Sequence, residues 1–226
     1  MSQQRRLSLC FVLLLSAAFF AQPKQPLTPI HIASSLSQTK LSQQIEQRLQ
    51  VAYRALGYQL IVQRLPAGRS LLMANQGEFD GELFRIKAVA AQYPQLQAVP
   101  YPLATIQLHA YVLADPARDW QHWQHNAKLT VAYVRGFQLA EQYPFAGRRV
   151  AVTTVQQAVQ MLLQQKVDLV LEDNSSMQSL QRLEPSLQQL PAVLANAELF
   201  HFLHQKHQAL IPALQQQLSK TDEHSD

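Results

Sequence analysis

The stretch LLMANQGEFDGELF, residues 71–84, and the stretch MLLQQKVDLVL, residues 161–171, follow one pattern. In each, apolar residues at helical spacing end in a short polar segment, and an aspartate, Asp80 or Asp168, then leads into an apolar strand. Helices alternating with strands are typical of open α/β sheets, so the repeated pattern predicts two similar α/β lobes. Ligands of such sheets bind at the carboxyl ends of the strands. We therefore expect a ligand site in a cleft between the lobes.

Working outward from residues 71–84, the first lobe continues the alternation. Apolar residues recur at helical spacing from Leu41 to Leu56, and Gly57 then ends the helix. The elements predicted here are strand, helix, strand, helix and strand, over residues 30–33, 41–56, 58–65, 67–76 and 79–84.

The second lobe repeats this arrangement around residues 161–171. Strands are predicted over 129–134, 149–152 and 167–171, with a helix over 155–165 for which Thr153 and Thr154 are candidate N-caps. Residues 103–113 are interpreted as a strand that connects the lobes. Residues 199–220 are interpreted as a mainly helical segment that packs back on the first lobe, with Pro212 near a helix start. The predicted boundaries are 28–106 plus 197–226 for the first lobe and 107–196 for the second.

Composition excludes several classes of protein. Of 226 residues, 47% are hydrophobic, which is enough to bury a core and argues against wholesale disorder. The net charge is only +4, and no basic stripe with interleaved aromatic residues occurs, so we expect no nucleic-acid partner. Neither a glycine-rich phosphate loop nor a Gly-x-Ser-x-Gly motif is present.

The N-terminus has the pattern of a secretory signal peptide. A basic segment, residues 1–6, precedes an apolar run over residues 7–20, which is too short for a typical membrane-spanning helix. We expect residues 1–21 to be a cleavable signal, cut after Ala18 or Ala21, and the mature protein to be a periplasmic monomer. The single cysteine, Cys10, lies in this segment, so a mature chain would have no disulfide and no cysteine-bound metal.

Several motifs, taken in order, resemble one family. They are YRALGY at 53–58, PAGR at 66–69, NQGEFDGELFR at 75–85, the threonine pair 153–154 followed by MLL at 161–163, and VDLVLED at 167–173. In this order they resemble the bacterial extracellular solute-binding proteins of the amino-acid-binding family, in its short, divergent members. The resemblance covers essentially the whole mature chain. It implies a two-lobed type 2 periplasmic-binding fold, in which each lobe is an open, mainly parallel sheet flanked by helices.

The resemblance also implies binding residues. Arg85 matches the first-lobe arginine that clamps the α-carboxylate of the ligand, although its spacing from Asp80 is shorter than in standard members. Asp173 matches the aspartate that pairs with the α-ammonium. Both roles suit the chemistry of the two side chains. Two structural alternatives stay open: Arg85 forms an ion pair with Glu82 or Glu78, or Asp173 caps the next helix.

The second-lobe turn departs from the family pattern. Standard members have Gly-Thr or Gly-Ser at a helix start, where a hydroxyl and backbone N–H groups hold the carboxylate. Here Arg135 is followed by Gly136 and Phe137, so the hydroxyl is missing. We nevertheless expect Gly136 and Phe137 to contact the ligand.

Two further candidates come from the residues themselves. Arg69 opens a helix where a strand should end, so it is either an anion contact in the cleft or a solvated arginine of the first turn. Glu82 shares a strand face with Asp80 and is a candidate to point into the cleft. Histidines recur at positions 122 and 125 and at 201, 204 and 207, but no carboxylate or cysteine completes either set, so neither a metal site nor a cofactor is expected.

These observations favour an exported solute-binding protein that captures a small, anionic or amino-acid-like solute and delivers it to an ABC-type permease. One alternative keeps the fold but has the protein signal to a membrane kinase or cyclase as a periplasmic sensor. A third is a dehydratase or lyase on the same fold, for which Glu82 and Asp173 would have to form the acid/base pair. We expect the protein not to be an enzyme.

Overall fold

A computed structural model describes residues 26–222, and the predicted signal segment lies outside them. The first part of the chain forms β1, α1, β2, α2 and β3 in the predicted alternation. These elements span Thr28–Ser35, Lys40–Ala55, Tyr58–Leu65, Ala67–Asn75 and Gly81–Ile86. The long strand β4, Leu96–Leu113, then leads to the second part of the chain and contains the predicted connecting strand.

The second part forms β5, α3, β6, α4, β7, α5 and β8. These span Thr130–Val134, Gln138–Gln142, Arg148–Val152, Val155–Leu163, Leu169–Asp173, Asn174–Leu183 and Leu187–Gln189. Strand β9, Ala195–His204, and helix α6, Ile211–Asp222, complete the fold. No helix within residues 26–222 is long and apolar enough to cross a membrane.

Two parallel three-stranded units are joined by two long antiparallel strands. In the described chain the sheet order is β2-β1-β3-β9-β4-β7-β5-β6, with β8 paired to β4. β1 pairs in parallel with β2 and β3, and β5 pairs in parallel with β6 and β7. β9 and β4 are antiparallel to each other and to their outer neighbours. Each unit has its first strand in the centre, so the repeated pattern in the sequence corresponds to a repeated topology.

The N-terminal ends of α1 and α4 have the same kind of cap, a capping box. Thr39 and Thr154 precede α1 and α4, and each side chain accepts a hydrogen bond from a backbone N–H three residues later. The side chain of that later residue, Ser42 or Gln157, accepts a hydrogen bond from the cap backbone in return. The predicted N-cap at Thr154 is thereby confirmed.

The prediction for residues 199–220 is wrong in its first part. Residues 195–204 form β9, which lies between β3 and β4, and α6 begins only at Ile211, next to Pro212. Residues 199–203 of β9 are buried on both faces of the sheet, and such a short, mainly apolar run cannot be distinguished from a buried helix by its periodicity.

Buried side chains form separate clusters around the two parallel units. The first-lobe clusters include Ile32, Leu83 and Phe202, and the second-lobe clusters include Leu169 and Val170. Phe137 and Leu139 pack against a cluster of each lobe. The residue boundaries of the lobes given above remain a prediction.

Candidate functional site

A cleft of about 270 Å³ lies where the two parallel units face each other. Its lining includes the carboxyl-terminal ends of five strands, or residues next to them: β1, β3, β5, β6 and β7. This is the edge at which open α/β sheets bind ligands. The cleft is a single site to which both lobes contribute.

Most of the polar side chains that line the cleft are hydroxyls. They are Ser35, Ser37, Thr39, Ser42, Thr153, Thr154, Ser175 and Ser176. Apolar side chains, among them Phe84, Ile106 and Phe137, form other parts of the wall. Among the lining residues of the described chain, three have ionisable side chains: Arg85, Glu172 and Asp173. Such a lining suits a small solute with a few polar groups.

Arg85 lines the cleft and contacts two side chains, those of Glu82 and Ser70, that are not among the lining residues. Its Nη2 atom lies 2.6 Å from Glu82 Oε1 and donates to Ser70 Oγ at 2.9 Å. Its Nε atom is buried without a hydrogen-bond partner, and no hydrogen bond from Nη1 is found within residues 26–222. The predicted ion pair with Glu82 therefore forms, and it leaves part of the guanidinium donor set unused.

Glu82 is fully buried and is not among the residues that line the cleft. Its Oε1 accepts from Arg85 and from Ser70 Oγ at 3.1 Å, while no donor to Oε2 is found in the part of the chain that the structure describes. Burial raises the pKa of this carboxyl to about 7, against the opposing effect of Arg85 and Ser70. Its position is behind Arg85 rather than in the cleft.

Asp173 lines the cleft and caps α5. Its Oδ1 accepts from the backbone N–H and hydroxyl of Ser175 at 2.8 and 2.5 Å and from the N–H of Ser176 at 3.0 Å. Its Oδ2 accepts from the hydroxyl of Ser176 at 2.7 Å. These contacts are those of a helix N-cap, which is the structural alternative given above for Asp173. The carboxylate already accepts four hydrogen bonds.

Gly136 lines the cleft at a turn where the two lobes touch. Its φ of +85° is in the left-handed region, and a Cβ there would lie 3.1 Å from Ala67 Cβ and 3.2 Å from the Gly68 nitrogen. The N–H of Gly136, at the turn where standard family members hold the ligand carboxylate, donates to Glu141 Oε1 at 2.6 Å. Phe137 follows it and also lines the cleft.

Arg69 lies outside the cleft. It is exposed on the first turn of α2, where its backbone N–H donates to Pro66 O at 2.8 Å, and it is not among the lining residues. This position fits the alternative that Arg69 is a solvated arginine in the first turn of a helix. The contacts found for it within residues 26–222 do not support an anion site.

Glu172 is a cleft residue that sequence reasoning did not select. It is 3% exposed, its Oε1 accepts from the N–H of Asp173 at 3.0 Å, and no donor to its buried Oε2 is found among residues 26–222, where the Asp173 carboxyl is a side-chain neighbour. Burial, together with the nearby Asp173 charge, raises the pKa of this carboxyl well above its usual range. The available signal was a pair of ionisable residues, Glu172 and Asp173, at the end of the otherwise apolar strand LVLED.

His201 and His207 are each held by hydrogen bonds to neighbouring groups. His201 is buried, with Nδ1 2.9 Å from Leu83 O and Nε2 2.6 Å from the hydroxyl of Tyr53. His207 Nε2 lies 2.7 Å from Asp80 Oδ1. Within residues 26–222, no group of three or more His, Cys, Asp or Glu side chains is arranged to hold a metal ion.

Comparison with solved structures identifies the fold. The arginine-bound form of ArgBP from T. maritima matches with a TM-score of 0.70 at 12% identity, over 85% of this chain and 95% of that one. AbpA, an amino acid ABC transporter substrate-binding protein from Streptococcus pneumoniae bound to L-arginine, matches with a TM-score of 0.72 at 12% identity, over 87% and 90%. The GluR0 ligand-binding core from Nostoc punctiforme in complex with L-glutamate matches with a TM-score of 0.70 at 14% identity, over 87% and 94%.

No protein-family model matches the sequence, and no curated protein matches it. The similarity is therefore structural. The chain has the two-lobed α/β fold of the amino-acid-binding proteins of ABC transporters, as the resemblance implied. The three solved structures named above are of ligand-binding proteins or of a ligand-binding core.

Proposed function

We propose that the protein is an exported solute-binding protein that captures a small amino-acid-like or anionic solute in the cleft and presents it to an ABC-type permease. The observation that carries the proposal is the joint lining of one cleft by both lobes, with Arg85 as its cation. The similar structures with bound arginine or glutamate support the same class of solute. Function in the periplasm, as a monomer, belongs to this proposal.

In this proposal Arg85 takes the carboxylate of the solute. Glu82 and Ser70 contact Nη2 and so orient the guanidinium, while no partner of Nη1 or of the buried Nε is found among residues 26–222. A planar guanidinium can donate two parallel hydrogen bonds to a carboxylate. Hydroxyls of both lobes, such as Ser37 and Thr153, would bind other polar groups of the solute.

Binding would favour the closed arrangement of the lobes. The turn at Gly136 touches the start of α2, and Gln138 Nε2 donates to Gln92 Oε1 at 3.2 Å between the lobes. A solute that contacts both lobes has a higher affinity for the closed state and shifts the equilibrium by that difference. A permease would then recognise the closed surface.

The geometry supports binding rather than catalysis. The lyase alternative needs Glu82 and Asp173 in the cleft as an acid/base pair. Glu82 lies behind Arg85, and four donors occupy Asp173. Neither carboxyl is arranged to exchange a proton with a solute.

A thermal-shift screen tests the proposal on the mature exported protein, with L-amino acids, small carboxylates, polyamines and sugars. A solute at 100 times its Kd stabilises the folded protein by about 2.7 kcal/mol, which gives a clear rise in Tm. We expect a hit among the amino acids or carboxylates, and its loss in Arg85→Ala.

Two controls make the screen specific. Arg69→Ala removes an exposed arginine outside the cleft and should bind as the wild type does. Arg85→Lys keeps the positive charge without the planar fork and should bind weakly. A blank across the whole panel, or a hit that Arg85→Ala leaves unchanged, would count against the proposal.

A further inference from the structure

The segment 136–139 belongs to the second lobe and touches the first lobe. A Cβ on Gly136 would lie 3.1 Å from Ala67 Cβ, so the turn lies directly against the start of α2. Phe137 and Leu139 pack against a buried cluster of each lobe. Apolar side chains therefore bridge the two lobes beside a close backbone contact.

A polar contact accompanies the apolar ones. Gln138 is 6% exposed, and its Nε2 donates at 3.2 Å to Oε1 of Gln92, an exposed residue of the first lobe. The Oε1 of Gln138 is buried, and no donor to it is found among residues 26–222. This amide gains one hydrogen bond between the lobes and leaves one acceptor unsatisfied, so its net contribution is small. The apolar contacts of Phe137 and Leu139 are expected to dominate.

The segment is fixed to its own lobe by hydrogen bonds. Arg149, on β6, donates to three carbonyl oxygens that follow the segment, those of Ala140, Glu141 and Tyr143, at 2.5, 3.1 and 2.8 Å. Glu141 Oε1 in turn accepts from the Gly136 N–H at 2.6 Å. Because one guanidinium holds several carbonyls, the segment should move together with the second lobe. Its contacts with the first lobe would then form and break as a unit.

We propose that residues 136–139 are a clasp that holds the two lobes in the closed arrangement through contacts of the chain itself, independently of a solute. The contacts described for the clasp are all to protein groups, so they can form before a solute binds. The inference goes beyond the proposed function, in which the solute itself favours closure. With the clasp, less of the binding free energy is needed to close the lobes, because the closed state is already the main one.

Pulsed electron paramagnetic resonance on the mature exported protein tests the clasp without a solute. Nitroxide labels on Gln44→Cys and Gln160→Cys would report the distance between the lobes. Both positions are exposed, on α1 and α4, and the cap residue that precedes each of these helices lines the cleft. The single native cysteine, Cys10, lies in the predicted signal. We expect one distance distribution, centred at the distance that the structure gives for this pair.

A wedge between the lobes should lengthen this distance. Ala67 is not part of a buried cluster, and a leucine there would push against the Gly136 turn, so we expect Ala67→Leu to open the lobes without disturbing either core. Gly68→Ala is the matched control in the same helical turn, because a Cβ on Gly68 would have no atom within 4 Å. It should leave the distance unchanged.

Removal of the bridging ring should also open the lobes. Loss of the contacts that Phe137 makes with the first lobe should lower the ratio of closed to open molecules by roughly tenfold or more. Phe137→Ala should therefore add a population at longer label distances. Circular dichroism melting curves would show whether each variant is folded, and the labelled protein without a further change needs no such check.

The outcomes concern the clasp and not the solute. Labelled protein without a further change that gives mainly longer distances than the structure would overturn the inference, whatever the variants do. A closed distribution that both Ala67→Leu and Phe137→Ala leave unchanged would also overturn it, since closure would not depend on the clasp. A closed distribution together with a blank thermal-shift screen would reject the proposed function and keep the clasp. An open distribution together with a hit in that screen would do the reverse.

Discussion

The two stretches with the same sequence pattern, around Asp80 and Asp168, are alike in how they hold the sheet. The N–H of Asp80 donates to His31 O at 2.7 Å, and its Oδ2 accepts from the His31 N–H at 2.8 Å. The N–H of Asp168 donates to Thr130 O at 2.8 Å, and its Oδ2 accepts from the Thr130 N–H at 2.7 Å. In each lobe the aspartate therefore fastens the third strand to the first. These equivalent contacts explain why the two stretches of sequence have an aspartate at the same place.

The strands that follow these aspartates differ at the cleft. In β3, Glu82 is paired with Arg85, and the arginine reaches the cleft. In β7, Glu172 itself lines the cleft, beside the Asp173 carboxyl. The first lobe thus offers a cation and the second a carboxyl. The comparison teaches that a repeated motif can specify the fold of two lobes while the residues after it place different side chains at the cleft.

The largest expected effect tests the shared role of the aspartates. Asp80 also contacts Lys206 Nζ at 2.8 Å and His207 Nε2 at 2.7 Å, and these partners with His31 lower its pKa to about 2, although partial burial opposes them. Asp80→Ala should lower the free energy of unfolding by about 3 kcal/mol, because it removes the acceptor of the His31 N–H and two partly exposed ion pairs. Asp168→Ala should cost about 2 kcal/mol, since its remaining partner, Arg118, is 38% exposed.

Urea denaturation of both variants measures this difference. Asp80→Asn and Asp168→Asn serve as controls, because an amide oxygen can still accept from the strand N–H. Equal losses in the two alanine variants would mean that the extra contacts of Asp80 contribute nothing. Losses below about 0.5 kcal/mol in both would contradict the structural role of the motif.

The second effect uses pH, because the first lobe buries an imidazole in its core. His201 accepts from the hydroxyl of Tyr53, and burial lowers its pKa from 6.5 to about 4. The unfolded chain therefore binds a proton between pH 6.5 and 4 that the folded protein does not. This contribution to stability is present above pH 6.5 and is lost as the pH falls to 4, by up to about 3 kcal/mol.

Other groups titrate as well, so the measurement is a difference. The double variant Tyr53→Phe/His201→Phe removes both polar groups of the pair. The stability of the wild type relative to this variant should fall by up to about 3 kcal/mol between pH 7 and pH 4, measured by urea denaturation at each pH. A relative stability that does not change with pH would mean that His201 titrates normally in the folded protein.

Much of the fold can be predicted from local sequence signals. The exception is the strand β9, which has no clear strand signal in its buried part. The helix α1 has its apolar residues at helical spacing and ends before Gly57, so its bounds are close to those predicted. β9 was interpreted as part of a helical segment because its pairing with β3 and β4 is set by residues that are distant in the chain. In residues 199–203, burial on both faces of the sheet removes the alternation of apolar and polar residues that would have identified a strand.

The candidate site is predictable to a smaller degree. The family resemblance selected Arg85, Gly136, Phe137 and Asp173, which all line the cleft, and their roles there stay predictions. Arg69 is exposed outside it, because a position at a helix start does not determine which way a side chain points. Glu172 lines the cleft as a buried carboxyl, and the sequence does not contain that information.

The smallest effect compares the two lobes where they should be equal. Thr39 and Thr154 close the same kind of capping box, on α1 in the first lobe and on α4 in the second. Loss of an N-cap hydroxyl costs typically about 1 kcal/mol, so Thr39→Ala and Thr154→Ala should each lower the free energy of unfolding by about that amount. Because both hydroxyls also line the cleft, the variants should be compared with Thr39→Ser and Thr154→Ser, which keep the cap. Equal losses of stability would show that the lobes share their local structure as well as their topology. A clear loss of stability in one alanine variant alone would mean that the two lobes share their sheet topology but not the strength of their helix caps.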